Sequence, residues 1–362
     1  MFKHINPAKP AVSIITLMLA LFTLALPTLA FETYYSKTKS EYISKGVLYE
    51  ESRRITDMGL LDVIVLRIPA NDPNLLLSAA ASSDPGYKET ASTLLTGTGA
   101  IAGVNGDYFG TAGSYSMPMG LQVDTNGVLS VSNNANTGAN KYSSFMLADD
   151  GKYFMGHVNA TVRFFNNGAE NIILGSMNKV ADLGGPSAIT RDFMETTAAI
   201  DARIEGAVKI QVVGNYITKI SAKGETVEVP ADGYVIIMSS AAADECLRAF
   251  AVGQYAELIV DSWLDLNAIK AAISGGGLIL AGGVPVSQGE QFITGVHPRT
   301  AIGLTADGSE IILMVVDGRS HSVGVKHSEL GQLMLEAGAA TAMHLDGGGS
   351  SEMLITKPGY DG

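Results

Sequence analysis

Residues 310–351 read EIILMVVDGRSHSVGVKHSELGQLMLEAGAATAMHLDGGGSS, and the order of elements in this stretch decides the fold. EIILMVVDG (310–318) is an apolar run of strand length with a Gly-containing exit. In HSELGQLMLEAG (327–338), Leu330, Leu333, Met334 and Ala337 recur at i, i+3, i+4 and i+7, which predicts the clearest helix of the chain. Ser328 is placed to cap its start and Gly338 to end it. TAMHLD (341–346) is then a second strand, running directly into Gly347, Gly348 and Gly349.

Working outward, strand signals outnumber helix signals. LLDVIVLRI (60–68) and NLLLSAA (74–80) flank an Asn71-Asp72-Pro73 turn and read as paired strands. Asn-Gly and Asp-Gly turns join LQVD to VLSV (121–131) and FMLA to YFMG (145–156), and Gly214-Asn215 joins VKIQVV to YITKI (208–220). TASTLLTGTG (90–99) and the residues around Cys246 read as short helices. The expectation is a mixed α/β (α+β) fold: one strand-rich catalytic domain over 60–362, with a mixed sheet and few helices, preceded by a lead-in over 31–59.

The first thirty residues read as a secretory signal. Lys3, His4 and Lys9 precede an uncharged apolar run at 11–26, and Thr28 and Ala30 sit where a cleavage site needs small residues. Sixteen apolar residues are short for a membrane span of about 20, so cleavage after Ala30 and a secreted or envelope location are expected, with no stable span afterwards. The single cysteine, Cys246, excludes an internal disulfide and is read as a buried structural thiol. Losing residues 1–30 removes Lys3 and Lys9 and no acid, which takes the net charge from −12 to −14. Such a surface argues against nucleic acid as a partner.

Chemistry is expected where apolar strands deliver polar residues to glycine-flanked ends: GVNGDYFG (103–110), HPRTAIG (297–303), LMVVDGRS (313–320) and HLDGGGSS (344–351). The Asp346–Ser350 run is the sharpest. Its backbone amides can form an anion-binding nest, and Asp346 can serve as acid, base or metal ligand; a tight turn capped by Asp346 explains the run equally well. Arg299 offers a planar fork for a phosphate. Arg319 reads first as a turn residue. Asn105 and Asp107 flank Gly106 and read first as a turn; if functional, both face a pocket with Tyr108 or Phe109 against a sugar. Asp317 carries the same ambiguity. His344 and Asp346 share a strand face, and His297 stands beside Arg299 with His321 and His327 expected at the surface. No Walker loop, no Gly-x-Ser-x-Gly elbow and no full EF-hand loop is present.

VNGDYF, SGGGLILAGG, HPRTAIGLTADG, VVDGRS and HLDGGGSS, in this order, resemble the phosphodiester glycosidase family, whose bacterial relatives include exopolysaccharide-related proteins. The resemblance covers residue 60 to the end. It implies hydrolysis of the bond between a sugar's anomeric carbon and a phosphodiester oxygen. By the matching motifs it places Asp107, Asp317 and Asp346 as catalytic carboxylates. Asn105, His297, Arg299, Thr300, Gly347, Gly348, Gly349 and Ser350 would contact substrate. The family pattern continues past the glycine loop, whereas this chain ends at Gly362, so a domain truncated at its C-terminal end is expected. No cofactor is required by the sequence; oxygen ligands abound, so calcium is admitted, but no loop dictates a metal. A non-catalytic envelope glycan-binding module and a polysaccharide-modifying transferase are the competing readings.

Overall fold

The structure is a computed structural model that describes residues 31–82, 87–110, 117–132, 142–166, 171–179, 185–287 and 293–356. The signal expected over 1–30 and the chain end at 357–362 lie outside the described residues.

The continuous apolar run at 310–316 becomes a strand with both faces covered. It is an inner strand of an eight-stranded sheet. The order is Thr33–Ser44, Val47–Thr56, Gly59–Pro69, Glu310–Val316, Arg299–Leu304, Thr341–His344, Leu278–Ala281 and Val284–Pro285, and every pairing is antiparallel. Because side chains alternate along a strand, Ile312, Met314 and Val316 face one way and Ile311 and Leu313 the other. The first set packs with Leu61, Val63 and Ala301 beneath the helix His327–Glu336, through its Leu330, Leu333 and Met334. The second packs with Leu66, Ile302 and Met343 against Phe145.

Phe145 belongs to a ten-stranded sheet, ordered Tyr216–Ile220, Val208–Val213, Gly233–Met238, Ser187–Thr190, Ser176–Met177, Leu129–Ser132, Gln122–Val123, Ile269–Ser274, Ser143–Ala148 and Tyr153–His157. Its one parallel pair is Ser176–Met177 with Ser187–Thr190. A three-stranded sheet (Asn171–Leu174, Ala160–Asn166, Ala256–Ser262) and a two-stranded ribbon (Met353–Ile355 with Ala102–Val104) complete the described strands. The other α-helices among the described residues are Ala91–Thr98, Ala198–Asp201 and Ser240–Cys246. The mixed α/β expectation thus narrows to a strand-rich, mostly antiparallel β molecule with few helices.

The predicted hairpins at 121–131, 145–156 and 208–220 all form. Three local expectations do not. Residues 74–80 make no strand and contribute only the bridge Ala79–Asp124, because both edges of Gly59–Pro69 are occupied by Val47–Thr56 and Glu310–Val316. Those partners show that residues 31–59 are more than a lead-in: they supply two strands, and Phe31 is buried in the core beneath the helix. The helix His327–Glu336 is capped at Lys326, whose N–H donates to Glu329 Oε2 at 2.7 Å, and Ser328 plays no capping part. Cys246 is half-buried against the core of the larger sheet.

Candidate active site

Strand register brings the distant motifs together. Ala301 pairs with His344, and Leu345 N–H donates to Thr300 O, so Arg299 and Thr300 run alongside the approach to Asp346. The ribbon of Ala102–Val104 and Met353–Ile355 folds Asn105 over the same end. Asn105 Nδ2 donates to Asp346 O at 2.8 Å, and its Oδ1 accepts from Thr300 Oγ1 at 2.7 Å and from Glu352 N at 3.2 Å. Asp346 N–H donates to Gly106 O at 2.9 Å. Asn105 and Thr300 therefore act on each other and on the loop backbone, clasping three chain segments that are far apart in sequence.

Arg299 is only 2% exposed. Its Nε donates to Val325 O at 3.1 Å, one terminal nitrogen donates to Gly295 O at 2.7 Å, and the other lies 3.1 Å from His327 Nε2. Among the described residues no ion pair includes it. Carbonyls and an imidazole orient the guanidinium but leave its charge uncompensated, which is the arrangement an anion completes. Burial lowers its pKa, with Arg319 acting in the same direction, yet a guanidinium stays protonated.

His327, expected at the surface, is 6% exposed because the helix it opens lies on the sheet. Burial brings its pKa down to about 3, helped by the neighbouring His344, Arg299 and His297. A neutral ring with Nε2 free of a proton accepts from Arg299. The ring also stacks at a tilt on His344, centroids 4.1 Å apart. His344 Nε2 accepts from Gly277 N–H at 3.0 Å, which assigns the proton to Nδ1, 3.0 Å from the Tyr108 hydroxyl. His344 is thus engaged with Tyr108 and the backbone rather than paired with Asp346. Tyr108, His344, His327 and Arg299 form one buried chain beside the loop. His321, by contrast, is exposed as expected.

Asp346 Oδ1 accepts from Gly347 N–H at 2.8 Å. Burial raises its pKa against the pull of the Ser350 hydroxyl and that amide. Gly347 is favoured by a close backbone contact and Gly348 by its left-handed conformation. A Cβ at Gly347 would stand 3.2 Å from Pro298 O and 3.6 Å from Arg299, and one at Gly348, where φ is +64°, would stand 2.8 Å from an Arg319 terminal nitrogen. Arg319 does hold the turn role read from the sequence, at φ 70°. Its exposed guanidinium also lies over Gly348 and Gly349, 3.4 Å from His297 Nδ1. Two guanidiniums, one buried and one accessible, therefore flank the Asp346–Ser350 loop.

Asp107 sits on the other side of Gly106. Its Oδ2 accepts from Gly120 N–H at 2.7 Å, while Oδ1 is buried without a hydrogen-bond partner. Burial holds its carboxyl up at about 7 against the Gly120 amide and the Lys179 ammonium, and Asp346 adds to the rise. Burial likewise brings Lys179 down to about 8, opposed by Asp107; its Nζ donates to Pro118 O and Gly120 O, both at 2.6 Å. Asp107 opens onto a cavity of about 490 Å³ lined also by Lys88, Phe109 and Phe193. Phe109, with the Lys88 ammonium 5.4 Å above its ring, is one of the aromatics facing this cavity, with Tyr87 and Phe193, and Tyr108 is buried. Asp317 follows Val316, the register partner of Arg299, at the same strand end. Its Oδ1 accepts from Gly318 N–H at 2.6 Å, and Oδ2 lies 3.9 Å from His321. No described contact joins it to Asp107, Asp346 or Arg299. Among the described residues no group of three or more His, Cys, Asp and Glu is arranged to hold a metal ion.

This assembly of Arg299, Thr300, Arg319 and the Asp346–Ser350 loop lies wholly within one recognisable sequence segment. Residues 206–362 match the phosphodiester glycosidase family. Asn105 and Asp107 lie outside that segment and meet its residues through the fold, Asn105 by hydrogen bonds to Thr300 and Asp346. A 60-residue stretch, 16% of the chain, is 43% identical to the SPbeta prophage-derived uncharacterized protein YomE of Bacillus subtilis strain 168 and spans 9% of that protein. Two solved structures share the fold. A hypothetical protein from Synechocystis superposes with a TM-score of 0.71 at 18% identity, over 88% of this chain and 59% of its own. A candidate exported protein from Burkholderia pseudomallei K96243 gives 0.69 at 16% identity, over 89% and 92%.

Proposed function

We propose that the chain is an exported hydrolase that cleaves the glycosidic bond of sugar-1-phosphodiesters in envelope or extracellular glycans. The observation that carries this reading is the buried Arg299, charged and without a carboxylate partner among the described residues, lying against the glycine loop that follows Asp346. Arg299 supplies a fixed positive field beneath the loop. Arg319, with His297 beside it, is the guanidinium that reaches the substrate phosphate, and the Gly349 N–H, the amide of the loop with no hydrogen bond among the described residues, donates to a phosphate oxygen. Phe109 lies against the sugar. Asp346 faces the positive charge that develops at the anomeric carbon. Asp107, poised near neutrality, takes the proton of the attacking water. Water oxygen bonds to the anomeric carbon, the carbon–oxygen bond to phosphorus-bound oxygen breaks, and the phosphomonoester departs with the electron pair. A phosphate leaves readily, so the absence of a dedicated general acid costs little.

The test is a panel of methyl phosphodiesters of common hexoses and N-acetylhexosamines, followed by NMR for free sugar and phosphomonoester. Release of both supports hydrolysis. Transfer of the sugar to an added alcohol in preference to water would assign a transferase, and saturable glycan binding without turnover a binding module.

A further inference from the structure

Below the helix Ala91–Thr98 lies a second cavity, of about 280 Å³, between the two large sheets. No charged residue is among its described lining residues; Leu66, Phe145, Ile302 and Leu313 make its depth. It reaches the surface, since Leu76 and Ile101 on its rim are 79% and 39% exposed. Its roof is a helix with no buried residue, held at its ends by the Thr90 cap and by Gly99 in the left-handed conformation. Leu94 and Leu95 face inward from that roof. A cavity lined in this way favours an apolar ligand, because filling it removes apolar surface from water.

The position of the cavity says what the ligand is. Asn105 and Gly106 form part of its wall, and Gly106, Ala80, Leu94 and Ile273 line both this cavity and the one that holds Asp107. The two cavities meet along these residues, and Gly106 adds no side chain to the boundary: a Cβ there would stand 2.9 Å from Ile273 Cδ1, so that side chain would have to turn aside. A polar chamber with cations and carboxylates and an uncharged apolar chamber thus share one wall at the reacting end of the site. We infer that the apolar cavity takes the alkyl or polyprenyl chain of an amphiphile, the substrate being a sugar phosphodiester whose aglycone is a lipid. This rests on the proposed hydrolase reading for the head group but not for the chain.

Two measurements on the full chain separate the claims. The first is fluorescence titration with 11-(dansylamino)undecanoic acid, displaced by dodecyl phosphate. Saturable, displaceable binding is expected, weakened at least about tenfold in both Ala91→Trp and Leu95→Trp, which place an indole in the cavity. The second compares dodecyl with methyl diesters of the same sugar phosphate. Each buried methylene strengthens binding about fourfold, so two suffice for a dodecyl over methyl ratio in kcat/KM above about ten, and the ratio should fall toward one in the two variants. Turnover of the methyl diester with no dodecyl advantage would overturn the lipid aglycone while leaving the hydrolase intact. Turnover of neither would remove the hydrolase reading, and the titration alone then decides: displaceable binding lost in the variants sustains the cavity, and no saturable binding overturns it.

Discussion

At the residue scale the site is governed by groups whose charge state burial has moved. Asp107 is held near 7, above its ordinary 3.8, so its contribution to stability is complete below about pH 4 and is lost as pH rises through 7. His327 is held near 3, below its ordinary 6.5, so its contribution is present above 6.5 and lost as pH falls toward 3. The two slopes oppose each other between about pH 4 and 6.5. Melting temperature against pH should therefore fall more steeply on acidification in Asp107→Asn than in the native chain. It should fall less steeply in His327→Gln, whose amide oxygen can still accept from Arg299. Parallel curves for all three would remove these assignments. For the chemistry, Arg319→Ala should depress turnover of a sugar phosphodiester by about 10²–10³-fold, the usual loss for one preorganised electrostatic donor. An uncharged aryl glycoside of the same sugar should lose far less, and equal losses on both substrates would show that Arg319 does not hold the phosphate.

At the element scale the helix His327–Glu336 is the part that places Arg299, through His327 at its first turn. Its own start depends on Glu329, which is buried and accepts from Lys326 N–H. Glu329→Ala should cost about 1 kcal/mol, read as a lower denaturant midpoint with unchanged slope. Gly331 offers a sharper check. Helix propensity alone favours alanine there by about 1 kcal/mol. A Cβ at that position, however, would stand 2.4 Å from Ile279 O on the strand Leu278–Ala281. Close packing wins over propensity, because the backbone of an inner strand cannot move aside, so Gly331→Ala should destabilise by about 1–3 kcal/mol. A more stable Gly331→Ala would mean that the helix does not sit on this strand.

At the scale of the whole molecule, the N-terminal segment is structural from Phe31 onward. Phe31 is 4% exposed in the core under the helix, and Glu32 N–H and O bond to Asp57. Export with cleavage after Ala30 should therefore yield material whose intact mass begins at Phe31. Phe31→Ala should cost about 3–5 kcal/mol in a denaturant titration. Export that leaves residues 1–30 attached would remove the signal assignment without touching the fold.

The sequence by itself determined the strand-rich character, the hairpins, the principal helix and the glycine-flanked ends where polar residues gather, because these depend on periodicity and turn chemistry within a few residues. Leu330, Leu333 and Met334 were legible for that reason, and so was the motif order that carries the family. It could not supply the company these residues keep. His327 was hidden because its burial depends on a helix docking onto strands distant in the chain. Lys179 lies in no motif and is brought to Asp107 by the Gly120 turn, which bonds to both. The strand at 33–44 looked like a polar lead-in because one edge partner suffices to hold it, with nearly every side chain in water. Only the tertiary structure decided that Arg299 is buried while Arg319 is the exposed cation, since which face of a strand end is covered is set by the element packed over it.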